Sequence, residues 1–405
     1  MQEERIKIKP TIYKDKPVHI HNIKLSNGKI GIVKDTEIIK VFKSDNYNFY
    51  FNKKTGEFVR WGSGDYSKEP PKKVNKKEIE LFKIWSVFWG NESVKFKDFI
   101  RDLQTDGDMN ESVPELVDME ISEICHGVKG IGSCKFCYKS NVGYKGNNMN
   151  LEKFKKIFHK LPASVTQIAF GIGDIEGNPD FFKIAEYTRS KGVIPNVTIN
   201  GDRMTPELYD KIAEIMGATA ISVYDKDISY NAVKELTDRG MTQVNIHQMI
   251  SEETYDITKE VLKDKLTDPR LEKLNAIVLL SLKPKGRAIK NNFNKLSQEK
   301  FNDLFKFALE ECAEELEFFN QHLADEDKIS KLKELINVDF ARITYTKAID
   351  ILEEAKQDFE FAVEWGIDLQ TEHERYLAEE HFDKPVMVTD YPLDIKAFYM
   401  RLNDD

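Results

Sequence analysis

Residues 120–138 read EISEICHGVKGIGSCKFCY and hold three of the chain's four cysteines, Cys125, Cys134 and Cys137. A short alternating run, Val117-Asp118-Met119-Glu120-Ile121, leads into them, and a helix-forming run at 150–161 follows. The alternation predicts a strand and the later run a helix, so the three thiols belong to a strand-to-helix loop. Three thiolates on one loop hold three irons of a four-iron cluster and leave the fourth iron open to a small molecule. Two other readings stand beside this one. The three cysteines with His126 make a zinc set, and Cys134-Lys135-Phe136-Cys137 alone makes a redox pair.

Outward from this stretch, residues 113–310 alternate strand and helix. Strand-like runs fall at 117–121, 167–170, 196–199, 220–223, 243–246 and 276–282. Helical runs fall at 150–161, 180–191, 205–216, 228–239, 253–273 and 297–310. Gly192, Gly217 and Gly240 stand where helices end. Thr205-Pro206 is an N-cap followed by proline at the first helical position. Six βα units in series mean a parallel sheet with right-handed crossovers, and the pattern leaves open whether it is flat or curved. A second motif follows the second strand: Phe170-Gly171-Ile172-Gly173-Asp174-Ile175-Glu176-Gly177-Asn178-Pro179-Asp180-Phe181. Glycines let backbone approach a ligand, and the acids suit an ammonium group. An ordinary glycine-rich βα turn is the plain alternative.

The cysteine loop resembles that of the radical SAM enzymes. Cys134, Cys137 and the aromatic Phe136 fit that family's spacing, but eight residues, 126–133, stand where three are usual between the first two cysteines. The segment 170–181 is similar to the family's Gly-Gly-Glu-Pro region, with Asp174 or the neighbouring Glu176 as the acid. QIAFGIGD and QVNIH are similar to segments of phage and bacterial radical SAM proteins of unassigned reaction. The resemblance implies an α/β fold in which six βα units form a partial TIM barrel, with the site at the C-terminal strand ends. It implies a [4Fe-4S] cluster on Cys125, Cys134 and Cys137, which are the metal-ligating and catalytic residues. It implies S-adenosyl-L-methionine (SAM) bound against Phe136, Gly171, Gly173, Asp174, Glu176, Asn200, Ser222, Asn245 and His247. A flavodoxin- or ferredoxin-like electron donor follows from it as a partner. Lys283, Lys285 and Arg287 form a basic lip after the sixth strand, suited to a carboxylate or phosphate or simply solvated.

Residues 1–110 read as a β-rich region. Alternating runs at 6–13, 19–25, 29–34, 37–43 and 47–51 are punctuated by Asn27-Gly28 and Lys54-Thr55-Gly56, and a helix is expected at 76–88. His19 and His21 share one strand face and suit a surface role better than a metal. Residues 1–309 carry 50 Lys+Arg against 43 Asp+Glu, whereas residues 310–405 carry 10 against 26. The asymmetry points to two pieces of different duty. No run approaches the roughly 18 apolar residues of a membrane span, and no signal-peptide core opens the chain. Four cysteines in 405 residues are no disulfide framework. We therefore expect a reducing cytoplasm, that of the host for a phage protein. A nucleic-acid partner stays open.

FARITY at 340–345, WGIDLQTEHERYLAEE at 365–380 and PVMVTDYPLDIKAFYMRLNDD at 385–405 resemble part of the catalytic domain of asparaginyl-tRNA synthetase. A C-terminal α+β class II synthetase-like fragment is therefore expected over 311–405, making the chain a composite. It brings amino-acid-side candidates, His373, Glu374, Tyr391 and Tyr399. The family's second motif belongs before Cys312, where radical SAM-like sequence stands, and its third belongs after Asp405, so we expect no ATP chemistry. Its strands are expected to come from a larger antiparallel sheet, leaving Val386, Val388, Phe398 and Tyr399 uncovered. Cys312 is expected to be a buried thiol. The reading is a radical SAM enzyme; the alternatives are an asparaginyl-tRNA synthetase-related protein and a zinc-binding module without catalysis.

Overall fold

The computed structural model describes residues 17–63, 73–90, 94–105, 109, 113–313, 316, 330, 333, 338 and 340–395. The chain divides into two compact units, Met1–Leu296 and Ser297–Asp405.

The first unit opens with five strands, β1 (His19–Lys24), β2 (Ile30–Asp35), β3 (Ile39–Lys43), β4 (Asn48–Asn52) and β5 (Phe58–Trp61), paired antiparallel in sequence order. Gly28 turns the first hairpin at φ +83°, a backbone only glycine adopts without cost. The run at 6–13 lies outside the described residues. Neither β5 nor the second of two helices, α1 (Lys76–Trp89) and α2 (Phe96–Gln104), was legible in the pattern. Asn75 and Glu78 close α1 with a reciprocal capping box, which satisfies two orphan amides. Trp61, Phe82, Trp85 and Phe99 pack edge to face between sheet and helices, with 4.7 Å between the Trp61 and Trp85 rings. The other face of the sheet packs Phe42, Phe49 and Phe51 with Ile194. There Lys40, 4% exposed, donates to Val165 O at 2.6 Å. Burial pulls its pKa down to about 8. His19 and His21 are exposed on β1.

The rest of the unit is β6 (Leu116–Glu120), α3 (Leu151–Phe158), β7 (Gln167–Gly171), α4 (Phe181–Ser190), β8 (Ile194–Ile199), α5 (Pro206–Ile215), β9 (Ala218–Ser222), α6 (Lys226–Asp238), β10 (Val244–Ile250), α7 (Tyr255–Thr267), β11 (Ala276–Ser281) and α8 (Arg287–Lys290). The six strands pair in parallel and in sequence order, β6 through β11. A doubly wound sheet reverses its order at a switch point; this one does not. An unreversed series of right-handed crossovers sets the helices on one face, and the sheet curls into a half-barrel with its other face concave. Along β10, Val244, Ile246, Gln248 and Ile250 are buried while Asn245, His247 and Met249 are half-buried on the opposite side. The helix side packs Ile168, Ile184, Ile212, Val233, Leu236 and Ile246, all fully buried. Each such side chain contributes roughly 1.5–3 kcal/mol over an exposed one.

Three local expectations change. The fifth strand continues to Ile250, because its alternation runs on past 246. The helix expected over 253–273 stops at Thr267, ahead of Pro269, which opens a single 3-10 turn. Gly192 and Gly240 take φ of +72° and +88°, but Gly217 has no positive φ. It is small instead because a Cβ there would fall 2.1 Å from Ile194 Cγ2.

The second unit holds α9 (Gln298–Glu311), β12 (Ala341–Thr344), α10 (Tyr345–Glu353), α11 (Thr371–Arg375) and β13 (Val386–Thr389). The helix read at 297–310 thus falls in this unit. Here β12 and β13 pair in parallel, rather than as parts of an antiparallel sheet. Val386 and Val388 are half-buried against a core of Tyr345, Ile349, Leu352, Leu369 and Leu377, so they are not left bare. Phe398 and Tyr399 lie outside the described residues. Cys312 is half-buried rather than buried. Among the described residues no helix is long and apolar enough to cross a membrane.

Candidate functional site

The cysteine loop leaves the end of β6 and is tied at its base. Met149 N donates to Ile121 O at 2.9 Å, closing residues 121–149 into one excursion. Asn178 is 2% exposed and its Nδ2 reaches Ile121 O at 2.7 Å and Met149 O at 3.0 Å. Its NPDFF setting marked the second motif, but nothing in the sequence said that this amide holds the neck of the first.

The eight residues 126–133 form a closed hairpin. Val128 N donates to Gly132 O at 2.9 Å and Gly132 N to Val128 O at 2.7 Å. Gly127, Gly130 and Gly132 all take φ between +75° and +81°, the left-handed backbone such a tight reversal requires. A Cβ on Gly127 would meet Gly132 O at 2.2 Å. His126 sits at the hairpin's foot, with its backbone N 2.5 Å and its Nδ1 2.6 Å from Asp174 Oδ2. That contact uses only Nδ1 of the ring, an arrangement that leaves the zinc reading open.

The second half of the loop is gripped from β11's side. Arg287 Nε donates to Cys134 O and Nη1 to Asn141 O, both at 2.8 Å, and its backbone N donates to Cys137 O at 3.0 Å. Asn291 Nδ2 adds a bond to Lys135 O at 2.9 Å. Of the expected basic lip, Arg287 thus spends its donors on the cysteine loop rather than facing a free anion. Lys283 lies over the Tyr138 ring at 4.8 Å. Phe136 stacks on Tyr224, with centroids 5.5 Å apart and planes at 25°, and meets Phe293 at 5.7 Å.

All four cysteines are free thiols. Burial first, then the neighbouring thiols, pushes the Cys134 pKa up to about 11, against the pull of a Tyr224 hydrogen bond and of Arg287. Burial likewise raises Cys125, and Asp174 and Cys137 add to it. Neighbouring thiolates need a cation to hold their charge. Among the described residues no three His, Cys, Asp or Glu side chains converge closely enough to grip an ion. The donor set, three neighbouring thiols on one anchored loop, nonetheless fits an iron–sulfur cluster with one iron left open.

The half-barrel brings the second motif directly under this loop. Gly171 ends β7, and Gly173 lies so close that a Cβ would fall 2.3 Å from Cys125 Cβ. Asp174 and Glu176 line a cleft of about 300 Å³ with His126, Asp202, Arg203 and Met204. Asn200 follows β8, its Oδ1 accepting from Asp202 N at 2.9 Å. Ser222 ends β9 and is level with His247 of β10, which in turn is level with Val278 of β11. Burial pulls the His247 pKa down, so the imidazole is neutral at pH 7. Asn245 lies two residues nearer the start of β10, level with Ala220, and accepts from Asn275 Nδ2 at 2.8 Å. It is therefore set further from the cysteine end than the other predicted positions. Lys139 pairs with Glu120 on the concave side.

In the second unit His373 is fully buried. Its Nδ1 accepts from Gln370 N and its Nε2 lies 3.2 Å from Phe361 O, so both ring nitrogens have partners within the unit. Burial, with Glu374 and Asp368 nearby, pushes Tyr391 up to about 12. Tyr399 lies outside the described residues.

Residues 119–264 match the family described as the radical SAM superfamily, and residues 289–405 match the class II tRNA synthetases (D, K and N). An asparagine–tRNA ligase of Clostridium beijerinckii is 56% identical over 110 residues, which are 27% of this chain and 24% of that one. One from Bacillus anthracis is 57% identical over the same length, with the same shares of the two chains. The chain spans about a quarter of the length of these curated relatives. Among solved structures, Streptococcus suis SuiB bound to precursor peptide SuiA aligns with a TM-score of 0.43 at 12% identity, over 70% of this chain and 71% of that one. The two matches fall on different parts of the chain, 119–264 being similar to the radical SAM superfamily and 289–405 to the class II tRNA synthetases of the D, K and N kind.

Proposed function

We propose that the first unit is a radical SAM enzyme whose cluster is a [4Fe-4S] group held by Cys125, Cys134 and Cys137. The observation that supports this most is the packing of Gly173 against Cys125 at the mouth of a parallel half-barrel. It joins the ligand loop and the SAM-facing motif in one place. When bound on Cys125, Cys134 and Cys137, the cluster would supply the electron for reductive cleavage of SAM and so for hydrogen abstraction from the substrate.

The chain's own residues bind and orient. Gly171 and Gly173 let the backbone approach SAM, and Asp174 or Glu176 receives its ammonium group. Phe136, held by Tyr224, presents an aromatic edge beside the thiols. Asn200 and Ser222 offer hydrogen bonds to the sugar. His247, neutral and inside the concavity, faces the substrate, with Asn245 below it. A flavodoxin- or ferredoxin-like protein delivers the electron in a reducing cytoplasm. The domains are 1–110, 113–310 and 311–405. The identity with asparagine–tRNA ligases favours a second reading, a synthetase-related role for the tail.

Anaerobic reconstitution tests the first reading. We expect about four irons and four sulfides per chain, and 5′-deoxyadenosine on reduction with SAM. Cys134→Ala abolishes both. Stoichiometric zinc without iron uptake overturns the reading.

A further inference from the structure

We infer that Asp202, working with Asp174 and Arg203, is a positioning residue that turns the eight-residue insertion 126–133 into a rigid spacer between Cys125 and Cys134. The consequence for iron rests on the cluster reading above; the geometry does not.

A slack loop of this length would leave the first two thiols without a fixed separation. The hairpin removes most of that slack by bonding Val128 to Gly132 in both directions. A closed hairpin still swings about its foot unless something outside holds it. Two of its backbone amides point away from its own ladder, and each meets a carboxylate. His126 N donates to Asp174 Oδ2 at 2.5 Å, and Lys129 N donates to Asp202 Oδ2 at 2.8 Å. The acids come from the loops after β7 and β8, neighbouring strands of the half-barrel. Foot and arm of the hairpin are thus pinned to two loops that leave neighbouring strands of one sheet. Hydrogen bonds to an ionised acceptor are the stronger kind.

Both acids are set for this task. The Asp174 and Asp202 side chains are only 12% and 9% exposed. Asp202 is steadied by its own amide bonding to Asn200 Oδ1. Arg203, held at φ +55°, lies between the carboxylates, 3.7 Å from Asp174 and 3.9 Å from Asp202. Its Nη1 also reaches Gly127 O at 3.5 Å. One cation therefore offsets two anions and touches the hairpin as well. Every polar contact of the Asp174 carboxylate among the described residues falls on Oδ2. Oδ1 is left for a ligand, so pinning and SAM binding are compatible.

Hydrogen exchange on the full chain, with iron analysis after anaerobic reconstitution, tests this. In the wild type the His126 and Lys129 amides exchange more slowly than that of Gly130 at the hairpin tip; equal rates overturn the inference whatever the variants do. In Asp202→Ala the Lys129 amide exchanges on the order of tenfold to a hundredfold faster, while β7, β8 and β9 keep their protection. Iron affinity falls on the order of tenfold. Asp202→Asn, whose amide oxygen still accepts from Lys129, restores both. Unchanged exchange and iron in Asp202→Ala overturn the inference, and so does Asp202→Asn behaving like Asp202→Ala. A chain that takes up no iron in any form refutes the cluster reading but leaves the exchange contrast to decide the spacer.

Discussion

Gly173→Ala places one methyl group between the loop after the second barrel strand and the first cysteine. The new Cβ falls 2.3 Å from Cys125 Cβ, 2.6 Å from Ile124 O and 3.0 Å from Cys125 Cα. Carbons in contact sit about 3.5–4.0 Å apart, so the two loops must separate by roughly 1–1.5 Å. The obstacles are backbone atoms and a Cβ, and no rotamer change relieves them. Gly173 has no positive φ, so the penalty is steric alone. Overpacking of this kind costs about 1–3 kcal/mol, or roughly 2–4 °C in Tm for each kcal/mol in a unit of this size. Misplacing a reacting centre by about 1 Å costs on the order of 100-fold in rate. We therefore expect 5′-deoxyadenosine release to fall by about that factor, with only a modest loss in Tm. Gly130→Ala is the control. Nothing lies within 4 Å of its new Cβ, but its φ is +81°, which costs about 1–2 kcal/mol. It should lose comparable stability and keep most of the activity. Wild-type SAM cleavage by Gly173→Ala, or equal activity losses in the two variants, refutes the reasoning.

Arg287→Ala removes two side-chain bonds to the carbonyls of Cys134 and Asn141. Each orphaned carbonyl costs about 1–3 kcal/mol where water cannot replace the guanidinium. Iron content should drop, and Arg287→Lys should recover little of it, because one ammonium cannot span both carbonyls; full recovery by lysine would point to charge alone. Burial pushes Glu115 up to about 7. Its folded pKa lies above the unfolded value, so the folded chain binds the extra proton and stability falls as pH rises from about 4.5 to 7. Glu115→Gln should flatten that part of the Tm–pH curve, and an unchanged slope would show the burial to be ineffective. Residues 310–405 hold ten Lys+Arg against 26 acids, an excess of negative charge that repels a triphosphate. Asparagine-dependent pyrophosphate exchange by the 405-residue chain should stay at background; a signal above it refutes that account.

What repeats along the chain and what is chemically rare in it were legible without coordinates. Six strand–helix alternations fix a parallel sheet, because apolar period and helix caps are local properties of the chain. Three cysteines on one loop and a glycine–acid turn after the next strand were readable for the same reason. How those pieces meet is a property of the folded chain. Strand order without reversal made the sheet a half-barrel, and that order is a matter of pairing between distant segments. It brought Gly173 against Cys125, Asn178 onto the neck of the loop, and Arg287, about 150 residues downstream, onto Cys134 O. It also moved Asn245 down the strand, since where a strand stops depends on its neighbours as well as on its own pattern. In the sequence the eight residues 126–133 stand only as an insertion between two cysteines. Its stiffness comes from two carboxylates on the loops after β7 and β8, and no local pattern records which backbone amide a distant acid will accept.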